Sequence, residues 1–315
     1  MPAFRPVPIL DVITETADAR SFVLGEPFAY RPGQYLTVRT PAGVRCYSLS
    51  SAPGIDPAPV ITVKRVRGGA VSNWLCDHVR AGDALEMAGP AGTFTPSPSD
   101  GDLLMLAGGS GITPIMGIIK AEQNRRILLV YANRDADSVI FGRTLSEMAG
   151  HGRLAVEHWL DSERGVPGAD ALAARLTAYT RREALVCGPE AFVAVAEKAL
   201  QLAGVVRVRV EHYDISEMPD GAGGMDSVAE VEIDGRTHTL PWASGRRLLD
   251  VIVDAGLNPP YSCRQGQCGA CACRLISGEV DLVNNEVLED EDFAEGYILA
   301  CQAVARTPQV KVTYY

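Results

Sequence analysis

The chain has 315 residues, of which 47% are apolar and 22% charged, with a formal net charge of −10 at pH 7. That length suits two or three domains with ordinary cores and argues against a disordered chain, while the acidic balance argues against a general nucleic-acid binder. No stretch stays apolar for about 18 residues, so none reads as a membrane span, and "MPAFRPVPILDV" has no apolar core followed by small residues. The expected compartment is the cytoplasm, where disulfides are rare.

Residues 1–100 read as the first domain. Short β-runs ("FRPVPILDVI", "ARSFVLGE", "GQYLTVRT", "VRCYSLSS", "PVITVKRV") are broken by Pro and Gly, the pattern of an antiparallel barrel. One helix is expected over 72–79, "SNWLCDHV", with Ser72 as its cap. After "TPSPSDGD" the rhythm changes. Over 101–213 apolar strands alternate with helical stretches, which predicts an α/β domain with a parallel, doubly wound sheet. The polar, Gly-rich segment 214–226, "DISEMPDGAGGMD", reads as a linker. The remainder, 227–315, holds paired strands, a helix near 247–255, a cysteine loop and closing strands.

The cysteine loop is "YSCRQGQCGACACRL", with spacing Cys263-x4-Cys268-x2-Cys271 and a distant fourth cysteine, Cys301. This is the plant-type ferredoxin spacing for a 2Fe–2S cluster. Thiolates are the soft ligands such a centre needs, and Gly266 and Gly269 let the loop backbone come close. Structural zinc takes paired C-x2-C knuckles, and one such pair stands here. Disulfides fit neither the compartment nor the length. Cys273, just beyond the loop, reads as a small buried hydrophobe.

In the first domain "RCYSLSS" carries Arg45, Tyr47 and Ser48. It follows "RPGQYLTV" and precedes "RVRGGAVSNWL", where Gly68, Gly69 and Ser72 stand at a turn into a helix, a natural anion site. These residues resemble the R-x-Y-S flavin motif of the ferredoxin–NADP reductase superfamily. The resemblance implies that Arg45 meets a flavin phosphate, that Tyr47 lies along the ring system and that Ser48 bonds near its reactive nitrogen. It also implies that Gly68, Gly69 and Ser72 cradle a diphosphate, which favours FAD over FMN.

In the second domain "LAGGSGITP" places Gly108, Gly109 and Gly111 between a strand and a helix, so that a diphosphate can approach closely. "CGPEAF" places Cys187 at a strand end and Gly188 and Pro189 at a helix start. The same resemblance puts Thr113 and Cys187 beside the hydride-transfer site, so Ser48, Thr113 and Cys187 are the expected catalytic set. Glu211 and Tyr213 match the family's E-x-aromatic ending, where an aromatic ring covers flavin or nicotinamide. After the second strand, "YANRD" offers Arg134 to a 2′-phosphate, but Asp135 and Asp137 stand beside it, which favours NADH over NADPH.

The order of domains resembles the reductase components of multicomponent oxygenases. "GGAVSNWLCD", "ANRDADSVIFG" and "EVLEDEDFAEGYILACQA" are most similar to the reductases of 3-ketosteroid 9α-hydroxylases, and phenylacetyl-CoA epoxidase reductases share the order. The resemblance implies a multidomain oxidoreductase with a β-barrel flavin domain, a nucleotide domain and an α+β ferredoxin domain of the β-grasp type. Electrons would arrive in pairs from NADH and leave singly, through the cluster, for a separate terminal oxygenase of the Rieske type. A di-iron monooxygenase as the acceptor, or a regulatory flavoprotein, are the alternatives. From Asp226 onward there are fourteen acidic and seven basic residues, and "EVLEDEDFAE" concentrates six acids. A solvated helix face explains them, and docking to a basic oxygenase patch is the sharper reading. A monomer is expected.

Overall fold

The computed structural model describes residues 4–98, 101–212, 224–257, 259–261, 264, 266 and 268–314. Cys263, Tyr213 and residues 214–223 of the expected linker lie outside them.

The first sheet has strands β1 (Arg5–Thr16), β2 (Ala19–Leu24), β3 (Tyr35–Thr40), β4 (Gly43–Ser48), β5 (Val60–Lys64) and β6 (Ala84–Ala91), in the order β4-β3-β6-β1-β2-β5. Alternation builds its interior: Val7 and Ile9 of β1, Phe22 and Leu24 of β2 and Ile61 and Val63 of β5 are all fully buried. Helix α1 (Ala70–His78) starts earlier than Ser72 suggested. Gly69 is its N-cap, and Ser72 lies in the first turn with its Oγ accepting from the Val66 amide at 3.2 Å. Gly68, at φ +75°, turns the chain straight into the helix, so the hydroxyl ties down the loop behind it instead.

The second sheet is parallel throughout: β7 (Leu103–Gly108), β8 (Ile127–Asn133), β9 (Leu154–Leu160), β10 (Glu183–Gly188) and β11 (Val208–His212), ordered β11-β10-β7-β8-β9. Every residue of β7, β8 and β10 is buried, because helices cover both faces. These are α2 (Ile112–Ala121), α3 (Gly142–Ala149), α4 (Asp161–Arg164), α5 (Ala169–Leu176) and α6 (Glu190–Ala203). Met105 and Leu129 join Ile115 and Ile119 in one core, while Leu104 and Leu128 join Ala196 and Leu200 in the other. The winding reverses between β7 and β10, and an open α/β sheet binds its ligand above the carboxyl ends at such a point.

Barrel strands β1, β2, β5 and β6 and this sheet belong to one compact unit, Arg5–Leu36 with Tyr47–Asp214. Buried Glu183 is one fastening. Its carboxylate accepts from the Ser97 amide at 3.0 Å, the Ser97 hydroxyl at 2.9 Å and Arg209 Nε at 2.8 Å. Lys120 of α2 pairs with Asp56 at 2.8 Å.

The other unit contains Thr37–Cys46 and the C-terminal segment. Its mixed sheet runs β13-β12-β18-β14-β16, built from β12 (Ser227–Ile233), β13 (Arg236–Trp242), β14 (Ala272–Ser277), β16 (Tyr297–Leu299) and β18 (Gln309–Thr313). A small pair, β15 (Val280–Leu282) and β17 (Ala303–Ala305), lies apart from it. Helix α7 (Leu248–Asp254) buries Leu248, Leu249 and Ile252 against Trp242, Ile298 and Val312, and α8 (Asp290–Ala294) is a short acidic turn of helix. This is the hairpin-plus-helix arrangement of a β-grasp domain. Among the described residues no helix is long and apolar enough to cross a membrane.

Candidate functional site

At the reversal point the chain leaves β7 through a short 3-10 turn, Gly109–Gly111, and enters α2. A Cβ on Gly111 would stand 2.0 Å from the Cys187 carbonyl oxygen, so the turn seats directly on the end of β10. Gly108 and Gly188 are both closed by the Phe192 ring, at 2.7 and 2.8 Å from where their Cβ atoms would be. The glycines therefore divide their work. Three let protein meet protein, and Gly109, at φ +50°, faces only the Lys64 Nζ. The Tyr131 hydroxyl donates to the Gly109 carbonyl at 3.0 Å and holds the turn open.

Cys187 is buried, and its thiol donates to Glu211 Oε2 at 3.7 Å. Glu211 is half-buried as a residue, yet its carboxyl end lies deep: burial pushes it up to about 8, against the Cys187 hydrogen bond. Thr113 is buried in the first turn of α2, while Pro189, the N-cap of α6, is exposed.

Helix α2 also reaches the barrel. A Cβ on Gly117 would stand 2.8 Å from the carbonyl oxygens of both Leu49 and Ser51. Only a glycine lets the helix ride this close. The chain leaving β4 is thereby pressed against the helix whose first turn carries Thr113. On β4 itself Ser48 is buried and Tyr47 half-buried. Arg45 donates to its neighbour's carbonyl, Val44 O, at 2.8 Å and to Tyr261 O at 3.0 Å, with its guanidinium 4.7 Å from the Tyr261 ring centre. Gly68 is exposed and Gly69 half-exposed at the start of α1, where no side chain caps the first amides.

Cys268, Cys271 and Cys301 are all buried. Ala272 pairs with Leu299 across β14 and β16, which brings the chain around Cys271 and Cys301 together. The Cys301 amide donates to Cys271 Sγ at 3.4 Å, and the Ala270 amide to Cys268 Sγ at 3.5 Å. Buried Gln302 spans the gap: its Nε2 donates to Arg264 O at 2.7 Å and to Cys301 Sγ at 3.6 Å. The hydrogen bond to Cys301, then burial, then the charges of Cys301 and Cys268 push the Cys271 thiol well above its ordinary range. A bound cation would reverse that shift, because it favours the thiolate form. Among the described residues no three His, Cys, Asp or Glu side chains close around one point, and Cys263 lies outside them. Cys273 is buried in the domain core, as its position beyond the loop suggested.

Arg134 follows β8 and pairs with Asp18 Oδ2 at 3.2 Å. Asp135 caps a 3-10 turn, accepting from the Ser138 amide at 2.9 Å.

Three family descriptions match the chain: an oxidoreductase FAD-binding domain over residues 9–95, an oxidoreductase NAD-binding domain over 105–198 and a 2Fe-2S iron-sulfur cluster binding domain over 231–306. The ferredoxin reductase component of a 3-ketosteroid-9-alpha-monooxygenase from Rhodococcus rhodochrous is 42% identical, over 96% of this chain and 95% of its own. The chain belongs to the oxygenase ferredoxin reductases. A component of the 1,2-phenylacetyl-CoA epoxidase of Escherichia coli is 30% identical over 100% of this chain and 98% of its own. A phthalate dioxygenase reductase shares the fold, with a TM-score of 0.61 at 24% identity over 99% and 98% of the two chains.

The reductase is thus an oxidoreductase using FAD, NADH and a 2Fe–2S cluster. Its residues fit these groups. The open amides of α1 suit a diphosphate, Gly109 leaves room for a second one, and buried sulfurs with amide donors suit the cluster. Four residues escape a reading of the sequence: Asp18, Lys64, Gly117 and Gln302. Only two carry a local signal, Gly117 as a glycine inside an apolar helix and Gln302 as the neighbour of a ligand cysteine.

Proposed function

We propose that the reductase draws electrons from NADH and delivers them to the terminal oxygenase of a 3-ketosteroid-9α-monooxygenase. When bound, FAD accepts two electrons together and gives them up singly, and the cluster carries one at a time. The protein's part is placement. Arg45 holds the flavin phosphate, Tyr47 lies along the ring, Ser48 bonds at its reactive nitrogen, and Gly68, Gly69 and Ser72 shape the diphosphate seat. Gly108, Gly109, Gly111, Gly188 and Pro189 shape the nicotinamide dinucleotide seat, where Thr113 and Cys187 orient the nicotinamide, Glu211 fixes the Cys187 thiol and Arg134 lies toward the adenosine end. Tyr213 covers the ring system from beyond β11. Cys263, Cys268, Cys271 and Cys301 hold the cluster. The observation that carries this reading is the seat of α2: Gly117 presses it onto Leu49 and Ser51, so the helix bearing Thr113 lies against the strand end bearing Ser48.

The acidic turn at α8 suits docking of the oxygenase beside the ferredoxin domain. Glu289, Asp290 and Glu291 are exposed, and Phe293 is 43% exposed among them. The cysteines among the described residues are unbridged, which suits the cytoplasm, and we read the chain as a monomer.

The test is reconstitution. With NADH, the purified reductase is expected to support product formation by a 3-ketosteroid 9α-hydroxylase oxygenase and not by a phenylacetyl-CoA epoxidase oxygenase. The reverse result moves the chain to the di-iron class. Failure to bleach the flavin and cluster absorption with NADH removes the reading altogether.

A further inference from the structure

We propose that Asp18 determines the choice of nucleotide, its carboxylate reaching from the β1–β2 turn to the cations that the 2′-phosphate of NADPH would require. The inference rests on the reading of the β7–β10 crevice as the nicotinamide dinucleotide seat.

Arg134 is the first residue after β8, the strand beside the glycine turn. In open α/β dinucleotide sheets this position meets the adenosine ribose, and an arginine there takes up a 2′-phosphate. Arg134 is not left to do so. Asp18, 116 residues earlier in the chain, pairs with it at 3.2 Å. The turn carrying Asp18 is fixed: its amide donates to Thr16 Oγ1 at 3.2 Å, and its carbonyl accepts from the Arg65 amide at 2.7 Å. In the β2–β5 register Ala19 faces Lys64, whose ammonium reaches toward Gly109. Burial first, and the charge of Arg134 second, pull Lys64 below its ordinary range, while Asp18 and Asp135 raise it. Arg134 and Lys64 are thus two cations within each other's field at the mouth of the glycine turn.

Arg65 bonds Asp77 at 2.6 Å and Arg20 donates to the Thr16 and Ala19 carbonyls, while Asp135, which caps its own turn, adds its charge to that of Asp18 near Lys64. Asp18 is the carboxylate that directly pairs Arg134. A 2′-phosphate needs paired cations and carries about −1.5 to −2 charges near neutral pH. Here it meets an arginine already neutralised and a carboxylate that repels it. The 2′-hydroxyl of NADH meets the same carboxylate as an acceptor. Both partners are largely exposed, at 65% and 46%, so the expected discrimination is about tenfold, not thousands-fold.

The test uses the full-length holo-reductase with ferricyanide as acceptor, which leaves the oxygenase assignment out of the result. Asp18→Asn is expected to raise the NADPH:NADH ratio of kcat/KM about tenfold. It is also expected to tighten adenosine 2′,5′-bisphosphate relative to 5′-AMP, read by perturbation of the flavin spectrum. Adding Arg134→Ala is expected to cancel both gains. Asp18→Ser, suited to a turn, serves if the asparagine variant loses its flavin. An unchanged ratio in Asp18→Asn, or a gain that survives Arg134→Ala, overturns the inference. If Arg134→Ala alone weakens the bisphosphate while Asp18→Asn moves nothing, the seat stands and the inference falls. If neither variant alters either adenosine ligand, the seat itself is elsewhere and both fall.

Discussion

Cys187 and Glu211 meet where β10 and β11 run side by side, and their contact ties a thiol to a carboxyl that is protonated near neutrality. The sign of its effect follows from linkage. A carboxyl raised in the folded chain from 4.5 to about 8 contributes stability that is complete below 4.5 and is lost as pH rises through about 8. Glu211→Gln keeps an acceptor for the Cys187 thiol and cannot ionise. Between pH 6 and pH 9 the parent is expected to lose on the order of 2 kcal/mol more than this variant. Chemical denaturation at both values measures it, and parallel losses would assign the alkaline sensitivity elsewhere. Residues of this kind are only half legible in sequence. Cys187 announces itself through the following Gly–Pro and Glu211 through the motif that closes the domain, but their partnership needs adjacent strands. Asp18 announces nothing, since its meaning comes from a residue 116 positions away.

At the scale of elements, α2 is the piece on which the site turns. One end abuts the β10 terminus through Gly111, and its middle abuts the barrel through Gly117. Gly111→Ala drives a methyl group into the Cys187 carbonyl, which neither strand nor turn can yield without moving the other. The expected cost is about 3 kcal/mol, with a matching loss in the rate at which NADH bleaches the flavin in stopped flow. A variant as stable and as fast as the parent would mean the turn does not seat on β10. The alternation of strands and helices over 101–213 and the glycine turn after β7 are readable because buried parallel strands are uniformly apolar and turns need glycine. The start of α1 is not where its serine points, because backbone geometry at Gly68 and Gly69 decides it. In sequence every glycine of "LAGGSGITP" reads as room for a ligand, and only the packing separates Gly109, which leaves room, from Gly108 and Gly111, which admit protein.

Over the whole molecule, charge is unevenly spread: the segment from Asp226 carries −7 of the −10. Exposed charges act over about 8–10 Å at physiological salt, so they govern encounter more than final affinity. Electron delivery to the oxygenase is expected to slow several-fold as ionic strength rises, and Asp290→Asn with Glu291→Gln to flatten that slope. Single-turnover oxidation of the pre-reduced chain measures both, and a rate indifferent to salt would move the docking surface off α8. The composition makes this imbalance plain, but not the helix that displays it. Gln302 has a consequence of its own. It fastens the strand end bearing one sulfur to the loop bearing the others using amide chemistry alone. The approach of two segments 38 residues apart is therefore shared by the polypeptide's own hydrogen bonding and does not rest on metal–sulfur bonds alone.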